Sequence, residues 1–447
     1  MPRKIHLAVD LSMTHLDGRW RSPGSWVGRT YPNPSMFEEL AQLAERGCID
    51  MLFFGDGTGI PNTWKNSEQD AVRWGIGWPR QDMSPYIALM SRVTQHVGFG
   101  ITYASTFMHP YYVARLLNSL DHVTGGRMAF NVVTSTRRSD AANYGFDELM
   151  EHGARYDRME EFVDVCKALW HSVDADAFEW NRENGVVAEP AKVRSINHKG
   201  RYFKVRGPLS VVPSPQVEPV MLQAGGSPRG IEASAYFAEH VFAASLPLSQ
   251  KIRQRSLIDA ALLRRGRDPA LVGILFNTPI IVTETAEEAT AHKEKLLGMI
   301  PAEGVGAYLS HNNGYDFSQL PSRFKLAELN RAVAATGASP VGLVHQLILA
   351  HGEDVEMTRE EFFIHGLRSA TGYDRTIAGD AKQVADQLEA DFEVTGKRGG
   401  FMISHPQGTP RDLLNIVDFL VPELQRRGRL RTRYIGSTLR ENLLPEQ

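Results

Sequence analysis

The chain has 447 residues, 42% of them hydrophobic and 23% charged, with a formal net charge of -3 at pH 7. That composition supports a large buried core and excludes disorder, and a near-neutral surface without a basic, aromatic-interleaved stripe speaks against a nucleic-acid partner. No run of 18 apolar residues occurs, and Met1-Pro2-Arg3-Lys4 opens no secretory leader, so neither a membrane span nor export is expected. Cys48 and Cys166 lie in or beside apolar helical patterns, which reads as buried structural thiols in a reducing cytoplasm.

Short apolar runs alternate with amphipathic helices along the chain, the pattern of βα units around a parallel sheet. In chain order, strands are expected at Ile5–Asp10, Met51–Gly55, Val97–Ala104, Arg127–Thr134, Pro219–Ala224, His240–Ala244, Val272–Ile281 and Gly400–Ser404. Helices lie between them. Phe37, Leu40, Ala41 and Ala44 form one stripe, ended by Gly47; Met159, Phe162, Val163, Cys166, Leu169 and Trp170 form another. Ser84-Pro85 reads as an N-cap followed by a first-turn proline. Eight such units favour an α/β fold closed as a (β/α)8, or TIM, barrel over the alternative of an open doubly wound sheet, one domain over 1–447. Two stretches, about 179–216 and 301–374, are too long for barrel loops and are expected to be insertions covering the C-terminal mouth. The basic run Arg426, Arg427, Arg429, Arg431 and Arg433 reads as a solvated helix end.

The segment Gly125-Gly126-Arg127-Met128-Ala129-Phe130-Asn131-Val132-Val133-Thr134-Ser135 starts after a Gly-Gly turn and turns polar at its end. Polar residues at the C-terminal ends of barrel strands are where ligands bind. On that rule Asp56, Thr102, Asn131, Thr134 and Ser135 become candidates, and their mostly neutral hydrogen-bonding groups suit a heteroaromatic ring better than a metal. His152, Arg155, Tyr156 and Arg158 open a helix, where backbone N–H groups favour an anion. Ala224-Gly225-Gly226-Ser227-Pro228-Arg229-Gly230 is the better anion site on spacing, because Gly225 and Gly226 let the backbone approach a phosphate and Ser227 caps the next helix. His96, His109 and His122 recur at equal intervals without a ligand motif, so no metal is expected. No dinucleotide fingerprint, P-loop or G-x-S-x-G elbow is present. Trp20, Trp26, Trp64, Trp74 and Trp78 crowd the long loops after the first two strands, where they could exclude water.

Together, several segments resemble the flavin-dependent monooxygenases of the bacterial luciferase-like superfamily, in the branch of nitrilotriacetate, EDTA, dibenzothiophene-sulfone and dimethyl-sulfide monooxygenases. They are His15 with Gly18-Arg19-Trp20-Arg21, Phe53-Phe54-Gly55-Asp56, Gly98-Phe99-Gly100-Ile101-Thr102, Asp121 through Ser135, Arg155-Tyr156-Asp157-Arg158, His198 through Phe203 and Gln223-Ala224-Gly225. The match continues into the tail from Val421 to Leu443.

The resemblance implies a TIM barrel that receives FMN as FMNH2 from a separate NAD(P)H:flavin reductase, with O2 as co-substrate. A C4a-(hydro)peroxyflavin would then oxygenate or cleave a C–N, C–S or C–H bond of a small organic substrate. It also implies that Asp56, Thr102 and Asn131 line the ring, that His152, Tyr156, Gly226 and Ser227 hold the phosphate, and that the catalytic candidates are His15 and His311. A homodimer or tetramer is expected on the same ground. Gly226 stands where relatives usually carry serine, and Thr136, where some carry histidine, is followed by Arg137-Arg138, a pair suited to a carboxylate or sulfonate substrate. Two other readings of the same barrel are a deazaflavin-dependent hydride-transfer enzyme and a non-catalytic flavin-binding protein.

Overall fold

The computed structural model describes residues 3–12, 16–25, 32–135, 137–336, 343–404 and 408–443. Among them, β1 (His6–Asp10), β2 (Met51–Phe54), β3 (Gly98–Ala104), β4 (Met128–Val133), β5 (Val220–Ala224), β6 (His240–Ala243), β7 (Gly273–Val282) and β8 (Gly399–Ser404) pair in parallel, each with the next. β8 returns to β1 and closes the barrel. All eight strands fall where the apolar runs placed them.

Strand alternation sets the two sides of the wall. Phe99, Ile101 and Tyr103 of β3, with Met128, Phe130 and Val132 of β4, enter the layer between sheet and helices. Their neighbours point inward, where Ala8, Met51, Phe53, Ala129, Leu222, Leu275 and Met402 form the interior core. A C-terminal helix, Leu439–Leu443, closes the floor by adding Leu439 and Leu443 to that core. Toward the C-terminal ends the inward positions become polar, at Asp10, Thr102, Asn131, Asn277 and Ser404, the last donating to Asn277 Oδ1 at 3.1 Å. The barrel is thus apolar at mid-height and hydrogen-bonding at its mouth.

The surrounding helices include α1 (Ser35–Arg46), α2 (Ser84–Arg92), α3 (Pro110–Thr124), α4 (His152–Trp170), α5 (Pro228–Phe237) and α6 (Leu248–Arg264). Ser84 proves to be the first helical residue rather than the cap; Asp82 Oδ1 takes its N–H at 2.8 Å. A carboxylate beside the first turn satisfies that donor and complements the helix dipole.

The long interruptions behave differently. Residues 283–376, which contain the stretch 301–374, run from the C-terminal end of β7 toward α8 (Ala381–Val394) and include α7 (Ala302–Asn313), so this insertion leaves the barrel on the side of its mouth. It has its own core, in which Leu309, Phe317, Leu326 and Phe362 pack with Ile76, Trp64 and Trp74 of the loop after β2. The stretch 179–216 does not cover the mouth. It connects the end of α4 to the start of β5, and a helix-to-strand connection begins at the opposite end of the barrel. Its hairpin, His198–Lys199 against Lys204–Val205, is pinned to the flank of α4 by Glu161, which accepts from Tyr202 N at 3.0 Å and Phe203 N at 2.8 Å.

The basic tail is also more than a solvated helix end. Arg427 and Arg429 pair with Glu389 of α8 at 2.6 and 2.7 Å, and buried Arg431 meets Asp50 at 2.6 Å beneath the barrel. Burial by itself would raise Asp50, but Arg431 and His6 hold its carboxyl below the ordinary value. Both cysteines are buried and free, and no helix among the described residues is long and apolar enough to cross a membrane.

Candidate active site

Thr102 and Asn131 occupy register-matched positions on β3 and β4, with both side chains inward and nearly inaccessible. Asn131 Nδ2 donates to Thr102 Oγ1 at 3.0 Å, while Asn131 Oδ1 has no partner. An orphaned buried acceptor costs about 1–3 kcal/mol, a penalty that a ligand N–H would remove. Beside this pair opens a cleft lined by Asp56, Gly57, Thr102, Tyr103, Phe107 and Arg137 among others.

Asp56 stands on the cleft rim, where solvent reaches it, yet the desolvating walls push its carboxyl up, with Asp82 and Asp140 adding to the effect. Asp140 has a structural task. It accepts from the backbone N–H groups of Thr58 and Gly59 at 3.1 and 2.7 Å and from Ser135 Oγ at 2.9 Å, tying the loop after β2 to the one after β4. Ser135 is therefore committed, and the backbone carbonyl of Thr134 receives Thr106 Oγ1 at 2.6 Å.

The second cluster forms where α5 begins. Ser227 caps it by accepting from Gly230 N at 3.1 Å, and Pro228 follows as the first helical residue. Gly226 faces open space: a Cβ there would meet nothing nearer than Gln254 Nε2 at 4.0 Å. Gln254, on α6, is 8% exposed, and its Oε1 has no partner. From α4, the Tyr156 hydroxyl reaches the first turn of α5, 3.0 Å from where a Cβ on Gly230 would stand, and the His152 ring lies 5.1 Å from that of Tyr156. His152, Tyr156, Gly226 and Ser227 thus converge. Arg155 and Arg158 do not join them: Arg155 donates to Met150 O at 2.9 Å, and Arg158 donates to Thr106 O and lies over the Phe203 ring.

The third cluster lies under the insertion. His311, in the last turn of α7, packs its Nε2 against Gly77 and leaves that nitrogen without a partner. Burial, reinforced by Arg137 and Arg80, pushes its imidazole down to about 3, so it is neutral at pH 7. Arg137 lines the cleft, whereas Arg138 points to solvent. His15 lies outside the described residues, as do Trp26 and Thr136. The equally spaced histidines share no site: His96 stacks on Tyr434, His109 caps α3, and His122 meets Val212 O.

Over this architecture, residues 13–398 match the family of luciferase-like monooxygenases. The chain belongs to that family. It is 36% identical to the dibenzothiophene-sulfone monooxygenase of Rhodococcus erythropolis (strain XP), covering 99% of this chain and 96% of that enzyme. It is 35% identical to nitrilotriacetate monooxygenase component A of Aminobacter aminovorans, covering 95% and 93%. The crystal structure of a long-chain alkane monooxygenase superimposes with a TM-score of 0.86 at 32% identity, covering 99% and 96%. Luciferase-like monooxygenases use reduced flavin and O2, and this member is a flavin-dependent monooxygenase.

Arg80, Gln254, Asn277 and Ser404 escaped the sequence reading. For Asn277 and Ser404 a signal existed, since each lies two residues beyond an inward apolar position, Leu275 and Met402. Arg80 and Gln254 lie in a loop and mid-helix, where local pattern carries no such mark.

Proposed function

We propose that this chain is the FMNH2-dependent oxygenase component of a two-component system, supplied with FMNH2 by a separate NAD(P)H:flavin reductase. The observation that carries the reading is the buried, unpartnered Oδ1 of Asn131, fixed by Thr102 at the barrel mouth. It fits an N–H of a reduced isoalloxazine, with Asp56 on the adjacent rim. The phosphate seat is Gly226, Ser227, Tyr156 and His152 at the N-terminus of α5, where backbone dipoles favour an anion. Gln254 adds an amide N–H in place of the hydroxyl that Gly226 lacks.

When bound, reduced flavin supplies the electrons that split O2, one oxygen atom passing to the substrate and the other leaving as water. The residues orient and shield. Thr102 and Asn131 set the ring's position, while α7, Trp64 and Trp74 cover the mouth and keep water from the reacting centre. Neutral His311, packed on Gly77 and near cleft-lining Arg137, is the hydrogen-bonding group at the substrate's end, and His15 is assigned to the same reacting centre from the family resemblance. Cytoplasmic location and a homo-oligomeric state belong to the same proposal.

The test is anaerobic mixing with FMNH2, then oxygenated buffer in a stopped-flow spectrometer. A persistent absorbing species between reduced and oxidised flavin supports the reading. Immediate return to oxidised FMN, with hydrogen peroxide in full yield, sinks it.

A further inference from the structure

Many buried or half-buried arginines of this molecule have their guanidinium satisfied, Arg229, Arg427, Arg429 and Arg431 by carboxylates and Arg127 and Arg267 by backbone carbonyls. Arg80 and Arg137 differ. Among the described residues, neither has a carboxylate within ion-pair distance, although both are half-buried; Arg137 lines the cleft, and Arg80 lies near enough to act on Arg137 and on Asp56 at the rim. Arg137 lies directly against Gly57, where a Cβ would clash with its guanidinium. Arg80 donates through Nε to Gly77 O at 3.3 Å, and its Nη2 is buried without an acceptor. His311 Nε2 closes the group, 2.7 Å from where a Cβ on Gly77 would stand and likewise without a partner.

Asp10, Asp17, Asp56 and Asp140 lie close enough to act on these guanidiniums through space, but none reaches ion-pair distance, and their oxygens accept from other donors. Asp17 takes Gly77 N at 2.9 Å, Asp56 takes Gly57 N at 2.7 Å, Asp82 takes Ser84 N and the Tyr103 hydroxyl, and Asp140 takes three donors. Two guanidiniums that repel each other and have lost part of their hydration are a standing penalty for the fold. A bound oxyanion offsets it, because a guanidinium fork matches the paired oxygens of a carboxylate or sulfonate.

We propose that Arg80 and Arg137, with His311, bind the carboxylate or sulfonate group of the substrate, so that the enzyme acts on an organic acid. The inference rests on the flavin reading above, which places the ring over Thr102 and Asn131 and leaves this corner to substrate. The flavin phosphate is a separate matter: its seat follows β5, whereas Arg80 and Arg137 follow β2 and β4. The remaining wall suits an apolar body, since Met108, Phe107 and Tyr144 line the same cleft, the two rings stacked at 5.1 Å. Arg138, solvent-facing, takes no part.

Isothermal titration of the FMN-loaded protein with benzenesulfonate and benzoate, against neutral benzenesulfonamide and benzamide, tests this. The anions should bind the native protein, and the neutral amides should bind much more weakly. Arg80→Gln and Arg137→Gln should each weaken anion binding roughly tenfold to a hundredfold, the size of a lost charge-assisted hydrogen bond, and Arg138→Gln should not. FMN titration by fluorescence quenching runs in parallel and shows that each variant is folded. Unchanged FMN affinity with anions and amides bound equally, or with the arginine variants binding anions normally, overturns the anion site and leaves the flavin reading standing. Failure of the native protein to bind FMN overturns the flavin reading and this assignment with it. Should Arg80→Gln or Arg137→Gln lose FMN binding, the milder Arg80→Lys and Arg137→Lys take its place: they keep the charge but lose the fork, and anion affinity left intact in both counts against the proposal.

Discussion

Asn131 on β4 and Thr102 on β3 face each other at the barrel mouth, Nδ2 3.0 Å from Oγ1, and the bond orients Asn131 so that its Oδ1 is the unpaired acceptor. Replacing Asn131 with Ala removes that acceptor, and reduced-FMN affinity should fall roughly tenfold, in line with the loss of one buried hydrogen bond. Thr102→Val should weaken FMN less while lowering stability by about 1–3 kcal/mol, because it strands the buried Asn131 amide. Anaerobic FMN titration and denaturant unfolding separate the two effects. Equal FMN affinity in all three proteins would remove Asn131 from the flavin site.

Gly226 and Gln254 make an opposed pair of predictions. The space beside Gly226 is open, so Gly226→Ser fits without displacing a neighbour and adds a hydroxyl at the α5 N-terminus. FMN should bind several-fold more tightly, while Gln254→Ala should loosen it by about the same factor. Riboflavin, lacking phosphate, should bind both variants as it binds the native protein. A parallel change for riboflavin would mean that the residues act elsewhere than on the phosphate.

The mouth cover depends on a close approach between Gly306 of α7 and the Trp64 indole, so near that a Cβ on Gly306 would overlap the ring. Gly306→Val should push α7 and the loop after β2 apart at a cost of about 1–3 kcal/mol. Water would then reach the reacting centre. The expected readout is a larger hydrogen peroxide yield per FMNH2 oxidised, with FMN affinity kept; native coupling in the variant would show that this contact does not seal the site.

Beneath the barrel, His240 is 6% exposed, packs edge-on against His6 at 6.1 Å, and leaves Nδ1 without a partner. Burial, with a smaller contribution from His6, lowers its imidazole from 6.5 to about 4. The folded state therefore resists a proton that the unfolded chain accepts. Stability is full above pH 6.5 and should be lost as pH falls from 6.5 to 4, by on the order of 3 kcal/mol. Comparing unfolding free energies of native protein and His240→Gln across that range isolates the effect: the variant should show a shallower slope, and identical slopes would refute the assignment.

Much of this was legible without coordinates. The eight apolar runs became the eight barrel strands, Ser227-Pro228 became the start of α5, and Thr102 and Asn131 came to the mouth because their places at strand ends define which side they face. Such features depend on residues within a turn or a pleat of one another, and a local period of 2 or 3.6 records them directly.

The tertiary structure alone decided which charges meet. Arg80, Arg137 and His311 come from three different loops and helices spread over more than half the chain, and no local period relates them. It also separated Arg137 from its neighbour Arg138, sending one into the cleft and the other to solvent, and turned the basic tail inward onto α8 and Asp50. A sequence prescribes the direction of a side chain relative to its own strand or helix, whereas the company it keeps is set by how those elements pack.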